Sequence, residues 1–247
     1  MPRTFTKIPR FSRRHRRRLP GMQLISRPVQ PSPPESLTRL LREWGIAPVS
    51  SAPAAARLGS WLGWADAIAI SQVLTAPPGG AASEAARIEA MHWASGELEQ
   101  VRAHVASGFN HTELAVASEP VSDDAPLTEL LAPCLQHFAQ QQREIASRIS
   151  AFRARLRARL TNASDPLARL AQLDEYIERA LGSPERRSLP GLSALLEIRA
   201  RKHYTADPRR WRPRFWSDLQ RLLRAELDQH LQPVLGLIEA LSTSSPP

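Results

Sequence analysis

The spacing of apolar residues is helical along almost the whole chain after Pro34. Leucine, isoleucine, valine and aromatic positions recur every three or four residues, and no stretch alternates apolar and polar residues as a half-buried strand would. The two longest stripes run through residues 126–160 and 213–241, whereas an average helix has only about 11 to 12 residues. The pattern predicts an all-α fold, a bundle of about six to seven helices with one or two long amphipathic ones.

Glycine and proline divide this pattern into separate helices. Gly45 is expected to end the first helix and Gly182 the fifth, because glycine adopts the left-handed conformation that commonly terminates a helix. Pro233 lacks the amide proton that its helical turn requires, so we expect a kink in the last helix. The predicted helices cover residues 34–44, 52–74, 83–107, 126–160, 164–182, a segment from 190 onward, and 213–241.

The same periodicity assigns residues to the core. The expected inward residues are Leu58, Trp61, Leu62, Ala65, Ile68 and Ala69 in the second helix, and Ile88, Met91, Leu98, Val101 and Val105 in the third. Leu223 and Leu227 are expected to be buried in the last helix. The stripe of residues 126–160 is long enough to extend beyond one core, so Ile149 and Leu156 are predicted to bind a partner or a second copy.

The basic charge of the chain lies at its amino terminus. Residues 1–34 contain nine arginines and lysines and no acid, so they account for the whole formal charge of +9. They also hold seven of the 22 prolines and few aliphatic groups, which predicts a disordered tail. Translation from Met22 instead of Met1 would omit most of the arginines of this amino-terminal segment. The folded part is predicted as residues 35–241, either one domain or two sub-bundles, 35–120 and 121–241, with residues 242–247 disordered.

Charge is also segregated within the folded part. Residues 84–129 hold nine acids against two arginines, a balance of −7, whereas residues 186–214 hold nine bases against two acids, a balance of +7. One interpretation is that the two segments neutralise each other or that their charges merely solvate helix faces. The other is that residues 206–216 form a phosphate or partner site in which Trp211 and Trp216 stack on the ligand, although tryptophan at a helix start is more often a core residue. The predicted nucleic-acid-binding residues are Arg13, Arg14, Arg16, Arg17, Arg18, Arg209, Arg210, Arg212 and Arg214.

Local signatures of catalysis are absent from the sequence. There is no phosphate-binding glycine loop, no dinucleotide fingerprint and no HExxH zinc motif. Cys134 and His137 lie one helical turn apart, but two ligands do not complete a zinc site, so core packing is the favoured interpretation. Asn110, His111 and Glu113 have the residue types of a nuclease or hydrolase fragment without further support. We therefore expect no metal, no cofactor and no enzymatic activity.

The lone cysteine excludes an internal disulfide, and no apolar run approaches the roughly 18 residues of a membrane span. The amino-terminal basic run is not followed by an apolar segment of the length that a signal peptide needs. These features predict a cytoplasmic protein.

Three segments carry a resemblance to a known family, namely residues 61–71, 167–189 and 215–241. They resemble an uncharacterised bacterial domain-of-unknown-function family associated with type III Zorya antiphage defence systems. The resemblance covers about residues 35–241 and excludes the basic tail. It implies an accessory component encoded beside a stator-like, proton-driven motor pair, and it implies no catalytic residues.

The resemblance thus implies a non-catalytic cytosolic accessory component of a Zorya-like defence system. Its expected partners are an accessory defence protein encoded nearby, the membrane motor complex, double-stranded DNA and a second copy of the chain, with recruitment to the inner membrane through the motor. Two alternatives remain open at this point. One is a helical structural adaptor without nucleic-acid binding, and the other is an enzyme with a non-local site.

Overall fold

A computed structural model describes residues 36–46, 64–75, 83–110, 125–188 and 190–243, without the side chains of residues 64–66, 110 and 181–190. Helices account for nearly all of these residues, and no strand occurs among them. The described residues contain seven helices, α1 (Leu37–Glu43), α2 (Trp64–Thr75), α3 (Glu84–Asn110), α4 (Leu127–Thr161), α5 (Asp165–Ser188), α6 (Pro190–Ala206) and α7 (Trp211–Thr243). The all-α prediction is confirmed. The helices fall within one compact unit that starts at Pro34.

The two long helices, α4 and α7, run parallel and form the centre of the bundle. Gln142 of α4 contacts Glu226 of α7, and His137, five residues earlier on α4, stacks on Trp216, ten residues earlier on α7. α3 packs against both long helices, α5 and α6 also contact both, α1 packs on α7, and α2 packs on α5. The largest fully buried side chains include Phe109, Phe138, Phe152 and Phe215.

Both ends of α3 are fastened to α7. Arg87 donates to the carbonyl oxygen of Leu241, near the carboxyl end of α7. At the other end, Nε2 of Gln220 donates to the carbonyl oxygen of Phe109 over 3.2 Å. The two helices are therefore antiparallel, and the carboxyl end of α3 lies beside the amino-terminal half of α7.

The end of α1 follows the prediction. Gly45 has φ +82°, in the left-handed region. The amide of Gly45 donates to the carbonyl of Arg42, and the amide of Ile46 donates to that of Leu41 over 2.9 Å, which is the Schellman arrangement. This turn fixes the position of Trp44, which packs against the core.

Several predicted details are wrong. Ile68 and Ile88 are exposed, because the inner face of α2 carries Val73 and that of α3 carries Ala90 and Ala94. Ile88 precedes Ala90 by two residues, which places it on nearly the opposite side of the helix.

Two predicted helix ends are also displaced. α5 continues through Gly182 to Ser188, since a glycine is tolerated inside a helix at a cost of about 1 kcal/mol. Ser242 and Thr243, predicted to be disordered, are the last helical residues. The predicted tail of residues 1–34, residues 52–63 of the second predicted helix, and residues 244–247 lie outside the described residues. The structure gives no test of the kink at Pro233, so that expectation stays a prediction.

The partner-binding role predicted for Ile149 and Leu156 is also wrong. Their exposed fractions are 4% and 0%, and both belong to the core cluster. α3, α5, α6 and α7 all pack against α4, so the stripe is covered by this chain's own helices. Leu223 and Leu227 are buried, as predicted. None of the described helices is both long and apolar enough to cross a bilayer.

Two isoleucines allow a matched test of this core assignment. Ile149→Ala should lower the free energy of unfolding by about 2 to 5 kcal/mol, because it leaves a cavity. Ile198→Ala, at a position that is 63% exposed, should change it by less than about 0.5 kcal/mol. Urea titration followed by circular dichroism measures both. Equal effects of the two substitutions would contradict the assignment.

Candidate nucleic-acid interface

The outward face of the amino-terminal half of α7 carries a row of arginines. Arg210, Arg214, Ser217, Arg221 and Arg224 are spaced four, three, four and three residues apart, which places them on one line along a helix. All are exposed except Arg221, which is partly exposed. The row is about 21 Å long at 1.5 Å per residue. We call these four arginines with Ser217 the arginine row.

Asp207 shapes the turn that leads into this row. Its Oδ1 accepts hydrogen bonds from the backbone amides of Arg209 and Arg210, over 3.1 and 3.2 Å. These amides lie before the first residue of α7, and the Arg210 amide also donates to the backbone carbonyl of Asp207 over 3.2 Å. The carboxylate therefore orders the turn that precedes α7.

Three of the predicted binding residues, Arg209, Arg210 and Arg214, are exposed at the start of α7. Arg212 does not join them, because it is partly buried with its guanidinium 5.9 Å from the ring of Trp211. Within the described part of the chain, none of the four forms a side-chain ion pair. Arg221 and Arg224 were missed by sequence reasoning, although their helical spacing from Arg214 could have revealed them. The remaining predicted residues lie outside the described residues, namely Arg13, Arg14, Arg16, Arg17 and Arg18.

The stacking role predicted for the tryptophans is wrong. Trp211 and Trp216 are only 3% and 7% exposed. Trp211 packs against Tyr204 and Phe215, and Trp216 stacks on His137 with ring centres 5.8 Å apart. Both tryptophans fall on the same face of α7 as Phe215 and Leu219, so the helical period turns them inward while it turns the arginines outward.

The acidic segment does not neutralise the basic segment within the described residues. The carboxylates of α3 that form ion pairs do so with other arginines: Glu89 with Arg159, Glu97 with Arg155, Glu84 with Arg87 and Glu99 with Arg102. Arg159 additionally lies 4.2 Å from the ring centre of Trp93. The described carboxylates of α3 therefore form no ion pair with Arg210, Arg214 or Arg224.

Buried ion pairs occur elsewhere and join helices. Asp218 of α7 accepts from Nε of Arg199 over 2.7 Å and contacts Nε2 of His203 over 2.8 Å. Both contacts hold α6 against α7. A second cluster joins α4 to α5, where Arg153 and Arg157 both bind Asp174 and Glu178.

Cys134 is packed in the core, as predicted. Burial raises the pKa of the Cys134 thiol to about 11, which keeps it protonated and unsuited to binding a metal. Among the described residues, no three His, Cys, Asp or Glu side chains lie close enough together to hold a metal ion. His111, Glu113 and the side chain of Asn110 lie outside the described residues.

Glu226 is a buried carboxyl group between α7 and α4. It is 2% exposed, and its Oε1 accepts a hydrogen bond of 2.8 Å from Nε2 of Gln142. Its Oε2 has no hydrogen-bond partner among the described residues. Burial, which outweighs the bond from Gln142, raises the pKa of Glu226 from 4.5 to about 7. The group is therefore largely protonated below neutral pH.

This burial predicts a specific pH dependence of stability. The folded chain holds the Glu226 proton more tightly than the unfolded chain, so stability should fall as pH rises from about 4.5 to about 7 and stay lowered above that. Between pH 5 and pH 8 the free energy of unfolding should fall by roughly 2 to 3 kcal/mol less in Glu226→Gln than in the wild-type chain. Urea titrations at each pH measure it. Glu175→Gln, an exposed position on α5, should retain the wild-type dependence, and an unchanged slope in Glu226→Gln would contradict the assignment.

Comparison with known proteins gives one family match. A family model described as protein of unknown function (DUF3348) matches residues 22–243. The match begins after the arginine run of residues 13–18 and includes every described helix. No curated protein and no solved structure shows a significant match. Because the model spans most of the sequence, the chain belongs to the DUF3348 family of proteins of unknown function.

Proposed function

We propose that this chain is a non-catalytic helical accessory protein that binds double-stranded DNA through the arginine row of α7. The observation that carries the proposal is the line of exposed guanidinium groups at Arg210, Arg214 and Arg224, which have no ion-pair partner within the described helices. Isolated surface charges are common, but an aligned, uncompensated row is the pattern that phosphate backbones require.

The length of the row suits a duplex. It extends about 21 Å, and a duplex of that length presents about twelve phosphates at one per ~1.7 Å of axis. Guanidinium groups bind phosphate oxygens with two parallel hydrogen bonds. Exposed Arg39 and Arg42 of α1, and Arg201 and Lys202 of α6, add positive charge on helices that pack against α7.

The aromatic side chains favour duplex over single-stranded ligands. Proteins that bind single strands stack the bases on exposed aromatic rings. Here Trp211, Phe215 and Trp216 are all buried, so the described part of this surface offers charge without a stacking platform. Contacts to phosphates position a protein on a duplex without reading bases, and we therefore propose sequence-independent binding.

The absence of catalysis is part of the proposal. Among the described buried carboxylates, Asp174 and Asp218 form ion pairs with arginines, and Glu226 is buried in the core.

The arginines of residues 13–18 would add sequence-independent attraction to DNA, and the helical domain would supply any specificity.

The biological setting is proposed from the sequence resemblance of residues 61–71, 167–189 and 215–241. It is a bacterial antiphage defence system of the Zorya type, in which this chain acts downstream of a proton-driven membrane motor. Its partners there would be an accessory protein encoded nearby, the motor complex and a second copy of the chain. It would be located in the cytoplasm and be recruited to the inner membrane.

Three full-length variants test the DNA proposal against salt-dependent binding of a duplex. Arg210→Gln, Arg214→Gln and Arg224→Gln together should make the slope of log K against log salt shallower by about 2.7, at ~0.9 per lost phosphate contact. The matched control replaces Arg102, Arg148 and Arg179, exposed arginines that pair with carboxylates on their own helices, and should leave the slope nearly unchanged. Replacing the five arginines of residues 13–18 should reduce it by up to about 4.5.

The outcomes separate the proposed contacts. Tighter binding of duplex than of a single strand of equal length, weakened by the α7 variant, would support the proposal. Loss of binding with the five-arginine variant alone would make that segment the DNA contact and contradict the role of α7. No binding at ~50 mM salt, where phosphate contacts are strong, would contradict DNA binding and favour the adaptor alternative.

A further inference from the structure

We propose that the carboxylate of Glu43 occupies a phosphate-binding site at the junction of α1, α6 and α7, and that a phosphate group of the ligand displaces it. The inference rests on the proposed function insofar as the arriving phosphate belongs to DNA. The site itself is defined by the described residues. Glu43 thus acts as an internal competitor for one position of the arginine row.

The geometry of the Glu43 contact is that of a bound phosphate. Nη1 of Arg221 donates to Oε1 of Glu43 over 2.9 Å, and Nη2 donates to Oε2 over 2.7 Å. Two parallel hydrogen bonds of this kind are the arrangement by which a guanidinium group binds either a carboxylate or a phosphate. The oxygens of Glu43 therefore stand where two phosphate oxygens would stand.

Arginines from three helices converge on this carboxylate. Arg221 belongs to α7, Arg199 to α6, and Arg39 lies one turn before Glu43 on α1. The hydrogen bonds from Arg221 are the main cause that lowers the pKa of Glu43, and the charges of Arg221, Arg39 and Arg199 lower it further. Such convergence gives any anion at this position three favourable electrostatic interactions.

Two of the surrounding groups, Arg199 and Trp44, are held by other parts of the fold, whereas the side chain of Glu43 is half exposed. Arg199 is held by buried Asp218, and its guanidinium lies 4.9 Å from the ring centre of Trp44. Trp44 is positioned by the turn at Gly45. The side chain of Glu43, in contrast, is 54% exposed, so it can rotate into water when another anion takes its place. A preformed site with a removable occupant needs little reorganisation to bind phosphate.

Duplex binding by the full chain carrying Glu43→Gln tests the proposal. Removing the competitor should raise the affinity about fivefold at ~100 mM salt and leave the salt slope nearly unchanged, because the same phosphate contact forms in both chains. Glu175→Gln is the control, because it makes the same charge change at an exposed carboxylate paired with Arg179 on α5, and it should change the affinity less than twofold. A purely structural role of Glu43 predicts the opposite, weaker binding as α1 loosens.

A second measurement uses no nucleic acid. Millimolar tripolyphosphate should raise the Tm of Glu43→Gln more than that of the wild-type chain or of Glu175→Gln, because ligands that bind the folded state stabilise it. Additional Arg221→Gln should abolish the difference. If the chain binds no duplex but this response is present, the phosphate site stands and the DNA proposal fails. If duplex binds and Glu43→Gln behaves as Glu175→Gln in both measurements, the phosphate site is overturned and DNA binding stands.

Discussion

Burial of one face of α7 is the constraint on which the rest of the structure depends. Phe215, Leu219 and Leu222 are fully buried against the neighbouring helices. Because a helix turns 100° per residue, fixing these positions inward also fixes Arg214 and Arg221 outward. The arginine row is thus on the side of α7 opposite the core, and α7 cannot rotate to hide its arginines without exposing its largest apolar side chains.

The charged residues divide into those that hold helices together and those that stay available. Arg153, Arg157 and Arg199 are mostly buried and bind carboxylates on neighbouring helices. Removing one member of such a pair leaves an uncompensated buried charge, which is costly. Arg210 and Arg214, in contrast, have no described ion-pair partner. A phosphate that bound them would therefore not have to break an existing ion pair. Arg221 lies between the two classes, because its partner Glu43 is itself exposed.

This division bears on the enzyme and adaptor alternatives. Glu226, Asp218 and Cys134, which have the residue types of catalytic groups, are buried among helices. The stripe through Ile149 and Leu156, which suggested an adaptor surface, is covered by this chain's own helices, whereas Leu74 and Ile198 are exposed.

The sequence by itself determined the helical class, most helix ends and membership of an uncharacterised domain-of-unknown-function family, because helical periodicity, glycine position and family motifs are local properties. It placed α6 and the end of α1 at Gly45 correctly, and it named Arg209, Arg210, Arg212 and Arg214 as neighbours. Tertiary structure alone decided which faces are buried. In the folded chain Ile68 and Ile88 face outward, whereas Ile149 and Trp211 face inward. The acids of α3 that form ion pairs do so with arginines of α4 and of α3 itself. The physical reason is that burial and ion pairing depend on which helices meet, and a single helix with apolar residues on more than one side does not reveal which side its neighbours will cover.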